Sequence, residues 1–174
     1  MRDPRSIFHS RLRVQPFLNI QKKFHSAVAG ECTKYEQNID FLMKVQTQRH
    51  LLKILQENFI ILRHEDMSSH PLLMAQKIYS FVGLEMPETV KEFASANGLV
   101  RSWHKPVIQS KEQQPTSTWQ DSMEFERILD IQVLCNVTME VFGYKFVHRE
   151  DQGNHTTVSY IGKVHKSLPF YNRS

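Results

Sequence analysis

Phe59-Ile60-Ile61-Leu62, followed at once by Arg63-His64-Glu65-Asp66 and then by His70-Pro71, decides the fold class. The apolar run is too short for a core helix, rich in β-branched side chains and bounded by polar ones, so it predicts a buried strand of a parallel sheet. His70-Pro71 then opens a helix carrying Leu72, Leu73, Ala75, Ile78, Tyr79 and Val82, with Gly83 placed to end it. Helix, buried strand, helix is α/β alternation. Open α/β sheets put ligands at the carboxyl ends of their strands, here Arg63 to Asp66. One strand cannot form a layer alone, so the chain reads as a mostly helical part of such a fold.

Working outward, Tyr35, Ile39, Leu42, Met43, Leu51, Leu52 and Leu55 recur at three- and four-residue steps. They predict an amphipathic helix from Thr33 to Gln56 with a weak point at Gln46 to Gln48. Val14 to Gly30, holding Pro16, Lys22-Lys23 and Gly30, reads as loop with short helical pieces. On the other side, Glu88 to Ala96 predicts a short helix stopped by Asn97-Gly98. Arg101 to Thr118 is polar and aperiodic, a loop. Trp119 restarts order, and Phe125, Ile128, Leu129, Cys135, Met139 and Phe142 align on one face of a helix from Asp121 to Phe142, closed by Gly143. Tyr144 to Val147 is extended. From His148 to Ser174 a polar, basic stretch broken by Gly153, Gly162 and Pro169 reads as a flexible tail.

The 174 residues suffice for one domain with a core, and 40% hydrophobic with 10% aromatic residues marks a globular chain. A net charge of +4 suits an anionic ligand without separating nucleotide, nucleic acid and acidic polysaccharide. No apolar run approaches the ~20 residues of a membrane span, and no signal segment opens the chain. The cysteines, Cys32 and Cys135, form no C-x-x-C pair, so a zinc or redox motif has no support. They are either one disulfide in an oxidising compartment or two small buried thiols.

The chain opens Met1-Arg2-Asp3-Pro4-Arg5-Ser6-Ile7-Phe8-His9-Ser10-Arg11-Leu12-Arg13. Asp at the N-cap and Pro at the first helical position start a helix running from Pro4 to about Arg13. Arg2 then flanks a helix N-terminus with its unpaired N–H groups and positive dipole, and Ser10 adds a hydroxyl: a phosphate clamp. On physics alone the plainer reading, a basic helix with a solvated arginine face, takes precedence.

Resemblance changes that order. Arg2-Asp3-Pro4-Arg5, with Ser10 eight residues after the first arginine, resembles the 3′-phosphate-binding motif of sulfotransferases, whose donor is 3′-phosphoadenosine-5′-phosphosulfate (PAPS). Leu62-Arg63-His64-Glu65-Asp66-Met67, Pro71 and Ile78-Tyr79-Ser80-Phe81-Val82-Gly83 are similar to the strand–helix segment of carbohydrate sulfotransferases. Trp119, Cys135, Met139 and Phe142-Gly143-Tyr144 follow in the order of their closing helix. The set runs from Arg2 to Val147 and looks closest to the Golgi enzymes that sulfate the 6-hydroxyl of galactose, N-acetylglucosamine or N-acetylgalactosamine.

The resemblance implies that residues 1–147 are the C-terminal part of a P-loop-NTPase-like sulfotransferase domain. It implies PAPS as donor with no metal, and Arg2 and Ser10 on the 3′-phosphate as cofactor-binding residues. It further implies a glycan or proteoglycan acceptor, no nucleic acid, and residence in the Golgi lumen as part of a type II membrane protein anchored upstream. The family's 5′-phosphosulfate loop and general base precede this motif, and no Gly-x-x-x-x-Gly-Lys-Ser/Thr segment occurs here. The chain is therefore expected to be a C-terminal fragment, inactive alone, with its catalytic residues upstream. A kinase-like enzyme is disfavoured by the same missing loop. His64 stands where the family commonly has Tyr. Lys111, in Ser110-Lys111-Glu112, is a loose equivalent of a family basic residue and a secondary phosphate candidate.

Other polar residues carry plainer expectations. Arg5, Arg11 and Arg13 read as solvated or substrate-facing. Glu65 and Asp66 point apart at a strand end, which favours a salt bridge or N-cap over acid/base work. His9 and His104 show no partner. Asn136-Val137-Thr138 and Asn154-His155-Thr156 are glycosylation sequons in a secretory protein; Asn154 is the better acceptor, because Asn136 borders the apolar arc of its helix. The alternative to an enzyme is a non-enzymatic basic module that binds anionic glycan or nucleic acid.

Overall fold

A computed structural model describes residues 1–95, 118–151, 160–166 and 168–171. Helix α1 (Pro4–Val14) begins as its sequence dictates: Asp3 caps it by accepting from the Arg5 amide at 2.9 Å, and Pro4 is the first helical residue. Arg11 and Arg13 close its last turn, where cations complement the helix dipole. Its buried Phe8 meets Phe24 edge to face.

A 3-10 turn (Pro16–Asn19) leads into α2 (Gln21–Val45), so the loop expected from Val14 to Gly30 is largely helix. Phe24, Val28, Cys32, Ile39, Leu42 and Val45 make one buried stripe along it. The breakers hid that stripe: Pro16 merely starts the 3-10 turn, and Gly30 is exposed with open space around it, costing helix propensity alone. The weak point at Gln46 to Gln48 is a true break, and α3 (Arg49–Asn58) follows it.

The expected strand is where the structure departs most from the sequence reading. Phe59 and Arg63 have extended backbone, yet no strand forms among the described residues, which are mostly helical with one isolated antiparallel bridge between Tyr144 and Ile161. The segment finds backbone partners on both sides all the same. The Met1 amine donates to the Leu62 carbonyl at 2.6 Å, the His64 amide donates to the Met1 carbonyl at 2.7 Å, and the Ile61 amide donates to the Phe170 carbonyl at 3.1 Å. The first two bonds have the pattern of a parallel pairing with Met1 level with Arg63.

Helices α4 (His64–Ser69) and α5 (Pro71–Phe81) follow, and Gly83 ends α5 with φ of 69° while the Leu84 amide reaches back to Tyr79 at 3.0 Å. Helix α6 (Glu88–Ser95) closes this part. The helix expected from Asp121 to Phe142 is broken into α7 (Thr118–Ser122), α8 (Phe125–Leu134) and α9 (Asn136–Val141).

The stretch read as a tail contributes Tyr160, Val164, Leu168 and Phe170 to the core. Gly162 donates to the Gly143 carbonyl at 2.6 Å, and His165 to the Val141 carbonyl at 2.9 Å. These apolar residues are spaced among Lys, His and Gly, so no continuous hydrophobic run announced them. The core joins them to Phe8, Phe24, Val28, Trp119, Ile128, Ile131 and Met139. A Cys32–Cys135 disulfide, with Cα atoms 5.1 Å apart, ties α2 to the junction of α8 and α9.

Candidate functional site

Arg2 leads into the N-terminus of α1, beside the start of α4. Next to the pairing of Met1 with Arg63, the Asp3 amide donates to Glu65 Oε1 at 2.9 Å. Arg2, and His64 at the first position of α4, are each partly exposed. Arg2 Nε and His64 Nδ1 are both buried without a hydrogen-bond partner. Buried polar side-chain atoms are nearly always paired, so each of these orphans stands out.

The Asp3 side is fully occupied. Arg5, expected at a solvated or substrate-facing position, is instead 0% exposed. Its NH2 pairs with Asp3 Oδ2 at 2.8 Å, its NH1 donates to the Lys145 carbonyl at 2.8 Å and to Gln132 Oε1 at 3.2 Å, and Trp119 covers it. Burial forces this: a guanidinium out of water needs all its donors matched. Gln132 passes the link on, accepting from the Val147 amide at 2.7 Å. With the Asp3 carboxylate claimed by Arg5, Arg2 makes no ion pair among the described residues.

Glu65 and Asp66 point apart, as expected of neighbours at the end of an extended segment. Glu65 Oε2 accepts from Tyr144 Oη at 2.7 Å. Burial, reinforced by the Glu65 charge, pushes the Tyr144 phenol far above its ordinary range. Asp66 takes Arg63 NH2 at 2.6 Å and the Tyr171 hydroxyl. Burial pushes the Asp66 carboxyl up, but those hydrogen bonds outweigh it and hold the group below its ordinary range. Arg63 NH1 meanwhile reaches the Phe142 and Gly162 carbonyls at 2.8 and 2.9 Å. Both carboxylates are structural.

Ser10 is exposed on α1, about two turns in from Arg2. Neither of two surface cavities takes in Arg2 or Ser10. One of about 560 Å³ runs along His9 and Arg13 to Asp121 and Arg127; another of about 670 Å³ lies between α5 and Tyr171. Arg11 pairs with Glu31 at 3.4 Å, and Arg13 is exposed. His9 has a partner that the sequence did not reveal, Ser122 Oγ at 2.8 Å. Asn136 is exposed at the start of α9, its Oδ1 accepting from the Val137 amide at 2.7 Å, while Thr138 of the same sequon is buried. Lys111, His104 and Asn154 lie outside the described residues. Among the described residues no cluster of His, Cys, Asp and Glu could hold a metal, and no helix is long and apolar enough to cross a membrane.

Known proteins supply the context for these residues. The chain is 26% identical over 167 residues to carbohydrate sulfotransferase 4 of Mus musculus, an alignment that covers 88% of this chain and 43% of that one. It is 28% identical over 161 residues to carbohydrate sulfotransferase 3 of Tetronarce californica, covering 84% and 35%. Over most of its length the chain is similar to carbohydrate sulfotransferases. It spans less than half the length of these relatives. No family model and no solved structure matches it.

Proposed function

We propose that this protein serves sulfuryl transfer from PAPS to a sugar hydroxyl, the 6-hydroxyl of galactose, N-acetylglucosamine or N-acetylgalactosamine in a glycan or proteoglycan chain. Residues 1–147, in this reading, form the side of the donor site that holds the 3′-phosphate. The observation that carries it is Arg2: a buried guanidinium nitrogen without a partner, beside a helix N-terminus, with its neighbouring carboxylate already taken by Arg5. PAPS supplies the sulfuryl group together with a bisphosphate leaving group. Arg2 binds the 3′-phosphate through its planar fork and Ser10 donates to another oxygen, which sets the register of the nucleotide and selects PAPS over ATP. Asp3, Arg5 and Glu65 hold the Arg2 backbone rigid by tying it to α8 and to the end of the extended segment.

No residue of this chain is assigned to the 5′-phosphosulfate or to the general base, and turnover by the chain alone is not expected. Lys111 is retained as a second phosphate contact. The Golgi lumen suits the Cys32–Cys135 disulfide, which an oxidising compartment preserves, and Asn136 and Asn154 as glycan acceptors.

Ligand-observed NMR with adenosine 3′,5′-bisphosphate tests the reading. Arg2→Ala should weaken binding by about tenfold or more, the loss of a charge-assisted contact, and Ser10→Ala by less. Equal affinity of Arg2→Ala and the unaltered chain would overturn it.

A further inference from the structure

We propose that the cavity between α5 and Tyr171 binds an amphipathic organic anion, a carboxylate or sulfate head on an apolar body, with Lys77 pairing to the head. The site stands apart from the donor-site reading, since neither Arg2 nor Ser10 lines it. His70, Leu73, Met74, Lys77 and Phe81 fall at three- and four-residue steps, so one face of α5 forms a wall of the cavity. Leu73, Met74 and Phe81 make that wall apolar, and Ile60 adds to it from the extended segment. Leu73 is 60% exposed, so apolar surface stands open here instead of packing into the core. A lysine in the middle of such a stripe breaks its pattern, because a charge on an apolar wall calls for a partner.

The carboxylate on the wall is already engaged. Asp66 is the one acid lining the cavity among the described residues, and it takes Arg63 NH2 at 2.6 Å and the Tyr171 hydroxyl. Lys77 Nζ donates to the Tyr171 carbonyl at 2.7 Å and lies 5.8 Å from the centre of the same ring. An ammonium has three N–H donors, so two remain for another acceptor. Burial pulls the Lys77 amine below its ordinary value, and the Asp66 charge offsets this only in part. With Asp66 matched by Arg63, the cavity sets one positive charge against an apolar wall. Its volume, about 670 Å³, is that of a small-molecule site. A neutral apolar ligand would leave Lys77 unmatched, and a small inorganic anion would leave Leu73 and Phe81 wet. An amphipathic anion answers both.

The test compares octanoate with 1-octanol, the same body without the charge, by saturation-transfer NMR on the whole chain, with circular dichroism confirming each variant's fold. Octanoate should bind about tenfold more tightly than octanol. Lys77→Met keeps the apolar stem and removes the charge; it should weaken octanoate about tenfold and abolish the preference. Lys77→Arg should restore most of it. Because Leu73 is exposed, Leu73→Asp leaves the fold intact and should weaken octanoate by at least as much. Equal binding of octanol, an unchanged affinity in Lys77→Met, or no transfer to octanoate at millimolar concentration would each overturn the proposal. Sedimentation with phosphatidylglycerol vesicles separates a free ligand from a lipid surface. The chain should stay in the supernatant; pelleting that needs Lys77, without octanoate binding, would replace the cavity ligand by a membrane and overturn the proposal too.

Discussion

Arg5 lies against the face of Trp119, its guanidinium carbon 4.3 Å from the ring centre, with the two residues 0% and 2% exposed. An arginine from the first turn of α1 and a tryptophan from α7 thus seal each other, and the charge is matched by Asp3, Gln132 and the Lys145 carbonyl. Removing one partner of a buried pair leaves the other uncompensated. Arg5→Met should destabilise the protein by about 3–5 kcal/mol in a denaturant melt. Arg5→Lys should recover little of it, because one ammonium cannot span those acceptors. A loss under about 1 kcal/mol would show that Asp3 and Gln132 find other partners.

The Cys32–Cys135 bridge closes a loop of 103 residues. Chain-entropy arguments attach about 4–5 kcal/mol to a loop of that size, and measured bridges give about 2–4. Adding a reductant, or replacing both cysteines by Ser, should therefore lower stability by about 2–5 kcal/mol. Identical melting curves with and without reductant would argue that the thiols never pair.

Acid should act through Asp66. Its carboxyl is held below the ordinary value of 3.8 in the folded protein by Arg63 and Tyr171, despite burial. A depressed carboxyl contributes stability above its unfolded value and loses it as pH falls through the folded one. Asp66→Asn should accordingly cost stability at neutral pH and cost less below about pH 3.8, narrowing the gap from the unaltered protein. A gap that is constant with pH would exclude this linkage.

Alkali tests the buried phenols. Burial pushes Tyr35 and Tyr171 up to about 12, aided by their bonds to Glu31 and Asp66, and Tyr144 higher still. Their neutral forms stabilise the fold below the ordinary value of 10.0, and that contribution is lost as pH rises toward 12. Phenolate absorbance should show Tyr144 silent until the protein unfolds. Its ionisation in a still-folded protein would contradict the buried Tyr144–Glu65 bond.

Gly143 has φ of 70°, and a Cβ there would lie 2.3 Å from the Lys163 carbonyl oxygen. Gly143→Ala must strain the backbone and displace residues 162–163 together. A cost above about 2 kcal/mol is expected by thermal melting; a neutral result would mean that this approach is loose.

What the sequence shows and what it hides separates by distance along the chain. Asp3-Pro4, His70-Pro71 with Gly83, and the weak point at Gln46 to Gln48 act on their own neighbours, and each sits at the boundary it marked. Arg5 was misread because, Asp3 apart, its acceptors lie 127 and 140 residues away, where no local pattern can reach. The α2 stripe was obscured by Pro16, Lys22 and Gly30, which look like punctuation yet cost little where they sit. The extended segment at Phe59 was legible as backbone, but not that its partners would be Met1 and Phe170. At the candidate site, the motif pointed to Arg2 and Ser10. That Arg2 Nε and His64 Nδ1 are both buried without a partner was not legible in the sequence.

Packing around the extended segment has a consequence for synthesis on the ribosome. The middle of the chain waits on residues 160–171: Ile61 bonds to Phe170, Arg63 to Gly162, Asp66 and Lys77 to Tyr171. While residues 160–171 are still in the exit tunnel, Ile61 and Arg63 have emerged with those acceptors out of reach. Folding of this segment therefore waits until residues 160–171 have left the exit tunnel, and nascent chains stalled before residue 160 should depend on chaperones that longer chains no longer need.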